Sequence, residues 1–261
     1  MRWSEIDASV LGMEQIPAEW RLSRRRKIKT LIFLTARLFV VPLLRLLIRF
    51  RIEGLEHVPR SGPALVAANH LHNADPVLII AAFTRPVLFM AKKELFAVPL
   101  VRWFVRQSGA FPVDRGRPDR QALRQAEQLL REGMLVGIFP EGTRSVTGGL
   151  QPPHPGIGLL IRRNPDVPII PVAIWGTEVL PFNGTKGRKP LRGWPRVTVR
   201  IGAPIRLLMP DDRERTAEEI ADAVMVAIAR LLPEQYRGVY RDRVDSNWPR
   251  EHAAVRVVSG R

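Results

Sequence analysis

A histidine and an aspartate lie in one short segment, Asn69–Pro76, and their side chains could carry out acid–base chemistry together. The imidazole of His70 could take a proton from a substrate hydroxyl, and the carboxylate of Asp75 could orient the ring and stabilise its charge. The spacing alone is a weak signal, because the two residue types fall this far apart in many chains. Asp75 also has a structural interpretation, since Asp followed by Pro76 and an apolar run predicts a helix N-cap with proline at the first helical position. The two roles are compatible, and the sequence predicts both.

A second polar cluster, Phe139–Arg144, follows the apolar run Met134–Phe139. One interpretation is an ordinary turn, in which Gly142 supplies backbone freedom and Glu141 forms a weak surface pair with Arg144. The other is a phosphate site, with Gly142 allowing close approach, the Thr143 hydroxyl donating, and Arg144 binding two phosphate oxygens. The residue types alone leave both interpretations open.

Two more blocks lie between these clusters, Ala91–Leu95 and Gly109–Arg115. The four blocks, in this order, resemble the glycerolipid acyltransferase family typified by 1-acyl-sn-glycerol-3-phosphate acyltransferases. The resemblance runs from about Arg51 to Pro204, and it implies catalytic roles for His70 and Asp75. It also implies that the second cluster binds the glycerol phosphate of the acceptor and that two further cations surround that phosphate. The implied substrate-binding residues are Glu141, Gly142, Thr143, Arg144, Arg115 and Lys92.

Several absences narrow the chemistry. The chain has no Cys and no Gly-x-Ser-x-Gly elbow, so a covalent acyl-enzyme has no evident nucleophile. Direct transfer remains, in which a hydroxyl deprotonated by His70 attacks a thioester carbonyl; the resemblance implies acyl-CoA or an acyl-carrier protein as donor. We expect no cofactor and no metal site, because no cluster of ligating residues is evident. A nucleoside triphosphate site is disfavoured by the lack of a Gly-x-x-x-x-Gly-Lys-Ser/Thr loop.

The sequence also departs from the family pattern. His72 stands where many relatives carry Ser, and it could be a neutral replacement or a second donor near the thioester. His154-Pro155-Gly156 occupies the region where relatives often have Lys before Gly. The segment Val167–Val172 resembles the fourth family block; Pro171 either shapes the wall of the site or merely edges a buried strand.

The charge balance indicates the kind of partner. The 261 residues carry a net charge of +16, with a pI near 11.4. A chain this basic meets either nucleic acid or an anionic lipid surface. We expect no nucleic acid, because neither zinc-finger spacing nor a helix-turn-helix signature nor an RNP-like aromatic block is present. An anionic membrane surface, a lipid acceptor and possible contact with an acyl-carrier protein are the expected partners.

The N-terminal part predicts membrane association. Residues 1–27 form a basic arm that ends in Arg24–Lys27, and residues 28–50 are apolar. Arginines within the run and Pro42 near its middle disfavour a span, because intramembrane charge is costly and proline kinks a helix. We predict a helical segment lying in the membrane interface, on the cytoplasmic face. The alternative is an apolar helix packed on the domain itself. The uncharged face comprises Ile32, Thr35, Ala36, Phe39, Pro42, Leu43 and Leu46.

The remainder alternates between strand-like and helix-like patterns, which predicts an α/β domain over residues 51–240 with a mixed, largely parallel sheet flanked by helices. A polar tail, 241–261, is expected to be loosely ordered. Both polar clusters follow a predicted strand, so we expect them to share a crevice at the strand ends. The predicted strands are Pro63–Ala68, Val87–Ala91, Met134–Phe139, Val167–Trp175 and Val197–Ile201. The predicted helices are Pro76–Phe83, Leu95–Gln107, Asp119–Arg131 and Ala217–Leu231, the last opened by a capping box of Thr216 and Glu219.

These features together predict an O-acyltransferase that makes phosphatidate from 1-acyl-glycerol 3-phosphate. Within the same class, the acceptor could instead be another lysophospholipid, glycerol 3-phosphate or a glycolipid. A catalytically silent lipid-binding protein with the same fold is the alternative from another class. The intact set of His, Asp, Glu and Arg favours an enzyme.

Overall fold

The computed structural model describes residues 38–92, 111–113, 120–181, 193–207, 215–244 and 255–257. Nine strands in these residues form one sheet, in the order β1-β7-β6-β2-β5-β3-β4, with β8 pairing with both β6 and β9. The strands are β1 Arg51–Glu53, β2 Ala64–Ala68, β3 Val87–Lys92, β4 Phe111–Val113, β5 Leu135–Ile138, β6 Ile169–Trp175, β7 Thr198–Ile201, β8 Ile205–Leu207 and β9 Val255–Val257. The helices are α1 (38–48), α2 Asp75–Ala82, α3 Arg120–Arg131, α4 Gly156–Arg163 and α5 Ala217–Leu231.

The centre of the sheet is parallel. Strand β2 pairs in parallel with β5 and β6, and β3 pairs in parallel with β5 and β4, whereas β6 runs antiparallel to β7 and β8. The prediction of a mixed, largely parallel sheet flanked by helices is therefore confirmed. Because β2, β5, β3 and β4 are parallel, their carboxyl ends lie along one edge of the sheet, and the four sequence blocks begin or end at that edge.

Helices cover both faces of the sheet. On one face α3, α4 and α5 pack over Leu65 and Ala67 of β2, and on the other α2 packs over Ala64 and Val66. Every residue of β2 is buried, so this strand has no polar face and reads as a continuous apolar run. Parallel strands of this kind can be recognised in sequence by that continuity.

Most predicted elements are confirmed to within two residues, and the capping box at the start of α5 has both of its hydrogen bonds. The predicted helix Leu95–Gln107 lies outside the described residues. Helix α4 was missed because prolines precede it and two of its first three residues are glycines. Gly158 within it is required by packing, since a Cβ there would lie 1.7 Å from the carbonyl oxygen of Ala217 in α5.

Of the tail expected to be loosely ordered, the structure describes residues 241–244 and 255–257: the 3-10 helix Gly238–Arg243 ends there, and Val255–Val257 forms β9 beside β8. One structural expectation needs correction. Asp75 was expected to be an N-cap, but it is the first residue of α2 and its carboxylate bonds backward to the preceding loop. The short edge strands β1, β4, β8 and β9 were missed because three residues carry too little alternation to be recognised.

Helix α1 carries apolar side chains both on its core side and on its exposed side. Leu44 and Ile48 pack on the core beneath it, as the alternative of a helix packed on the domain requires. The opposite side leaves Phe39, Leu43 and Leu46 exposed to 68%, 51% and 63%. The exposed side is the uncharged face identified from the sequence, as far as the described residues reach. Among the described residues no helix is both long enough and apolar enough to cross a membrane.

Candidate active site

The loop between β2 and α2 places His70 beside Asp75. The Nδ1 atom of His70 lies 2.9 Å from Oδ2 of Asp75, and both side chains are buried. With Nδ1–H donated to the carboxylate, Nε2 carries the lone pair that can take a proton. The same Oδ2 accepts the backbone N–H groups of Leu71 and His72, each at 2.6 Å. One carboxylate oxygen therefore orients the imidazole and also closes the loop that carries it.

The second polar cluster clamps the backbone of His70 from both sides. The N–H of His70 donates to Oε1 of Glu141 at 3.0 Å, and the carbonyl of His70 accepts from the N–H of Ser145 at 2.8 Å. The Ser145 hydroxyl in turn donates to the carbonyl of Gly149 at 2.6 Å. Two segments separated by 71 residues are thus joined at the histidine itself, as the expected crevice requires.

Glu141 is a buried bridge and does not form the surface pair with Arg144 that the turn interpretation assumed. Its Oε2 accepts the N–H of Gln151 at 3.1 Å while Oε1 accepts that of His70, and the residue is only 2% exposed. Burial raises the pKa of the Glu141 carboxyl to about 7, although both backbone donors oppose that shift. The geometry suits a positioning role, and direct contact with substrate remains a prediction.

The remaining residues of the cluster face outward. Thr143 is exposed and Arg144 is half-buried. Gly142 has a φ of +65°, and a Cβ there would lie 2.4 Å from Cδ2 of His154. Both its backbone conformation and its close contact therefore require glycine. His154 is exposed and covers Gly142, with its N–H donating to the carbonyl of Pro140 at 2.8 Å.

The other two predicted cations are placed less fully. Lys92 is the last residue of β3, opposite Val113 of β4 in the parallel register. Its strand ends at the same edge as β2 and β5, which is consistent with a place near the site. Arg115 follows β4 by two residues and lies outside the described residues.

An aromatic stack fixes the plane of the His70 ring. Phe139 lies against His70 with ring centroids 4.1 Å apart at 17°, and Phe89 of β3 stacks on Phe139 at 5.0 Å. Gly137 of β5 makes room for Phe89, because a Cβ there would lie 2.7 Å from that ring. No role for these three residues could be predicted from the sequence, although a glycine inside a strand is a sign of close approach.

Asn69 anchors the start of the loop. Its Nδ2 donates to the carbonyl of Ile174 and its Oδ1 accepts the N–H of the same residue, both at 2.8 Å. The side chain thereby extends the pairing of β2 with β6 by one step beyond Ala68. This role depends on a strand more than a hundred residues away in sequence, so no local pattern could have indicated it.

His72 is held at both ring nitrogens. Its Nδ1 accepts the N–H of Ala74 at 2.9 Å, so its Nε2–H donates to the carbonyl of Pro181 at 3.0 Å. Burial lowers the pKa of His72, and the charge of Arg144 lowers it further, whereas Asp75 raises it. The neutral form is thus favoured, and His72 ties the catalytic loop to the segment after the 3-10 helix Thr177–Val179. Of the two sequence interpretations, this geometry fits a structural tie better than a donor to the thioester.

The described residues contain no group of three or more His, Asp or Glu side chains that could hold a metal ion. What the site can do is exchange a proton at Nε2 of His70, with the resulting charge held by Asp75. The half-buried guanidinium of Arg144 lies close enough to His72 to lower the pKa of that ring.

Comparison with known proteins agrees with this geometry. The acyltransferase family matches residues 49–175, a range that contains His70, Asp75 and the whole second cluster. The matched residues form a domain of the acyltransferase family. The chloroplastic 1-acyl-sn-glycerol-3-phosphate acyltransferase of Brassica napus is 30% identical over 175 residues, which are 65% of this chain and 50% of that protein.

Two further relatives extend the comparison. The 1-acyl-sn-glycerol-3-phosphate acyltransferase of Streptococcus pneumoniae is 30% identical over 64% of this chain and 60% of its own length. The crystal structure of the 1-acyl-sn-glycerophosphate acyltransferase from Thermotoga maritima matches with a TM-score of 0.62 and 25% identity, over 85% of each chain. The chain spans about half the length of the plant relatives that it matches.

Proposed function

We propose that this acyltransferase moves a fatty acyl group from a thioester donor directly to the free hydroxyl of 1-acyl-glycerol 3-phosphate, giving phosphatidate. The observation that carries the proposal is the buried pair of His70 and Asp75, clamped to the Glu-Gly-Thr-Arg segment through the backbone of His70. The names of relatives from plants and bacteria support this choice of acceptor.

His70 acts as the general base. Its Nε2 removes the proton of the acceptor hydroxyl as the oxygen attacks the thioester carbonyl carbon. The tetrahedral intermediate collapses with cleavage of the carbon–sulfur bond, and the leaving thiolate takes the proton back from the imidazolium. Asp75 keeps the ring in the required tautomer and stabilises its charge during the step. No covalent enzyme intermediate is needed.

Cations of the second cluster and its neighbours bind the acceptor phosphate in this proposal. Arg144 is the main ligand, assisted by Arg115 and Lys92, with the Thr143 hydroxyl as a donor. Thr143 is exposed and Arg144 is half-buried, so both can meet an acceptor from solvent or from a lipid surface. The donor is acyl-CoA or an acyl-carrier protein, and the reaction uses no cofactor.

The exposed face of α1 suits a peripheral dock on an anionic membrane surface at the cytoplasmic face. Phe39, Leu43 and Leu46 would insert to a depth of about 5–10 Å, while the core side of the helix holds the domain in place. The acceptor and the product are lipids, so this dock brings the hydroxyl to His70 from the headgroup plane.

An acceptor panel tests the proposed function. Lysophosphatidate, lysophosphatidylglycerol, glycerol 3-phosphate and a glycolipid are each supplied with one acyl-CoA and one acyl-carrier protein, and the products are identified by mass. Phosphatidate should form fastest. If another acceptor is acylated faster, that acceptor is the preferred substrate and the proposed one is wrong. If no combination of donor and acceptor gives a product, a catalytically silent lipid-binding protein is favoured.

A further inference from the structure

The end of α1 has an unusual backbone. Arg49, directly after the last helical residue, has a φ of +43° and is the one non-glycine with positive φ among the described residues. A left-handed residue commonly ends a helix, but that position is usually glycine because a Cβ is crowded there. The position is occupied here by an arginine, which suggests that its side chain has a purpose at this site.

The Arg49 side chain lies over Trp194, a residue from a distant part of the chain. The guanidinium carbon is 5.3 Å from the centroid of the indole ring. The indole Nε1–H donates to the carbonyl of Leu47 at 2.7 Å, and the N–H of Val197 donates to that of Ile48. The last carbonyls of α1 are thus capped by the segment leading into β7, which holds Trp194 beside the helix end.

The pair is continuous with the apolar face of α1. Trp194 is 53% exposed, and Leu47, whose carbonyl it caps, is 55% exposed. Leu43 and Leu46 extend this exposed surface along the helix, and Arg45, also exposed, adds a positive charge outside the apolar face. A large exposed apolar surface edged by cations is complementary to a bilayer with anionic headgroups.

We infer that Arg49 and Trp194 form a headgroup contact at the rim of the membrane-docking face, with an anionic phospholipid bilayer as the occupant. The inference deepens the proposed peripheral dock and rests on it. Trp residues concentrate at membrane interfaces because the ring is apolar and its N–H is polar. Here the N–H is already bonded to Leu47, so the ring can enter the interface without losing a hydrogen bond to water. Arg49, stacked on the ring, is held at the level where lipid phosphates lie.

The depth of Trp194 is measured on the whole protein. Wild type and Trp194→Phe are bound to vesicles of phosphatidylcholine and phosphatidylglycerol that carry a nitroxide either at the headgroup or near the end of an acyl chain. The difference in tryptophan fluorescence between the two proteins isolates Trp194 from the other five tryptophans. The headgroup label should quench this component more strongly than the deep label. Vesicle-bound protein whose Trp194 component is quenched by neither label would overturn the inference.

The charge of Arg49 is tested by sedimentation with the same vesicles. Arg49→Gln should weaken binding about five-fold, the amount expected for one cation near an anionic surface. Arg49→Lys should bind nearly as wild type, and Arg131→Gln, which removes an exposed arginine from α3, should have no effect. Unchanged vesicle binding by Arg49→Gln would contradict the headgroup contact. A dimer that is detected by ultracentrifugation and buries Trp194 would contradict it as well.

Activity in detergent separates this inference from the proposed function. All variants should acylate lysophosphatidate in mixed micelles at the wild-type rate, since neither residue belongs to the catalytic machinery. Failure of the wild type in micelles would count against the proposed function alone. Variants that are normal in micelles and also bind vesicles normally would count against the headgroup contact alone.

Discussion

At the scale of single residues, the site consists of one reactive group and several groups that hold it. His70 is fixed by Asp75 at its ring, by Phe139 on its face and by two backbone hydrogen bonds. Such fixation lowers the cost of aligning a base with an incoming hydroxyl. Substitutions of His70 and of Asp75 separate the loss of the imidazole from the loss of the carboxylate that orients it.

Replacing the base should abolish most turnover. His70→Ala should reduce kcat by on the order of 10²–10⁴, the range for losing general-base assistance. Asp75→Asn should cause a smaller loss of the same kind, because the ring remains but its orientation and charge are less well supported. Steady-state kinetics with lysophosphatidate, together with circular dichroism to establish folding, check this expectation. Near-normal turnover by folded His70→Ala would eliminate the proposed mechanism.

Replacing Arg144 should act on acceptor binding. Arg144→Ala removes a charge-assisted contact worth roughly 1.5–3 kcal/mol, so acceptor affinity should fall about ten- to a hundred-fold. Arg115→Ala should behave similarly. The measurement is KM for each substrate, with the exposed Arg131→Ala as the matched control. A rise in donor KM alone, with acceptor KM unchanged, would show that the cluster binds the donor.

His72 should matter for stability in a pH-dependent manner. His72→Ala removes two hydrogen bonds and should cost about 1–3 kcal/mol of unfolding free energy at neutral pH. The folded pKa lies below the ordinary value of 6.5, so the unfolded chain binds the proton first as the pH falls. The stability advantage of wild type over His72→Ala should therefore be complete above pH 6.5 and shrink below it. Denaturant titrations at a series of pH values measure this advantage, and one that stays constant down to pH 5 would contradict the neutral, doubly bonded ring.

At the scale of elements, α1 packs on the core with one side and exposes apolar side chains on the other. One side packs on the core through Leu44 and Ile48, so deleting the helix would damage the domain as well as the dock. Substitutions confined to the exposed side are the cleaner test. The helix is also held at its end by Trp194 and Val197, which makes it a rigid platform rather than a loose anchor.

Polar substitutions on the exposed face of α1 should release the protein from membranes. Insertion of each of Leu43 and Leu46 into the bilayer should contribute about 1.5 kcal/mol or more to binding. Changing both residues to Gln should therefore weaken vesicle binding roughly a hundred-fold. Activity on a short-chain soluble acceptor should persist. Val239→Gln is the matched control, since Val239 is 62% exposed elsewhere on the domain.

Salt distinguishes insertion from charge attraction in the same assay. Wild-type binding that rests on apolar insertion should survive high ionic strength, because salt screens only the electrostatic part. Full vesicle binding by the double variant, or complete release of wild type by salt, would show that α1 does not insert.

At the scale of the whole molecule, the sheet edge gathers the ends of β2, β5 and β3, and Glu141 joins two of the loops that follow them. This link places a carboxyl group with a pKa of about 7 inside the domain. Its protonation is therefore coupled to the stability of the entire fold.

Stability should fall as Glu141 ionises. The folded pKa is raised above the ordinary 4.5, so the folded protein holds the proton more tightly than the unfolded chain between pH 4.5 and about 7. The unfolding free energy of wild type relative to Glu141→Gln should decrease over this window, by at most about 3 kcal/mol. Denaturant titrations across pH 4.5–8 measure the difference. A difference that is flat with pH would mean that Glu141 is not desolvated as its burial indicates.

The sequence by itself predicted the α/β class, most element bounds and the pairing of the His70 and Asp75 side chains. These features can be predicted because helix and strand periods, capping residues and short motifs are local. Only the tertiary structure decided that Glu141 is a buried bridge, that His72 is tied to Pro181, that Asn69 extends a strand pairing and that Arg49 meets Trp194. The contacts of Glu141 with His70, of His72 with Pro181, of Asn69 with Ile174 and of Arg49 with Trp194 join residues between 71 and 145 positions apart. The partner of a polar group across such a distance is decided by how strands and helices pack.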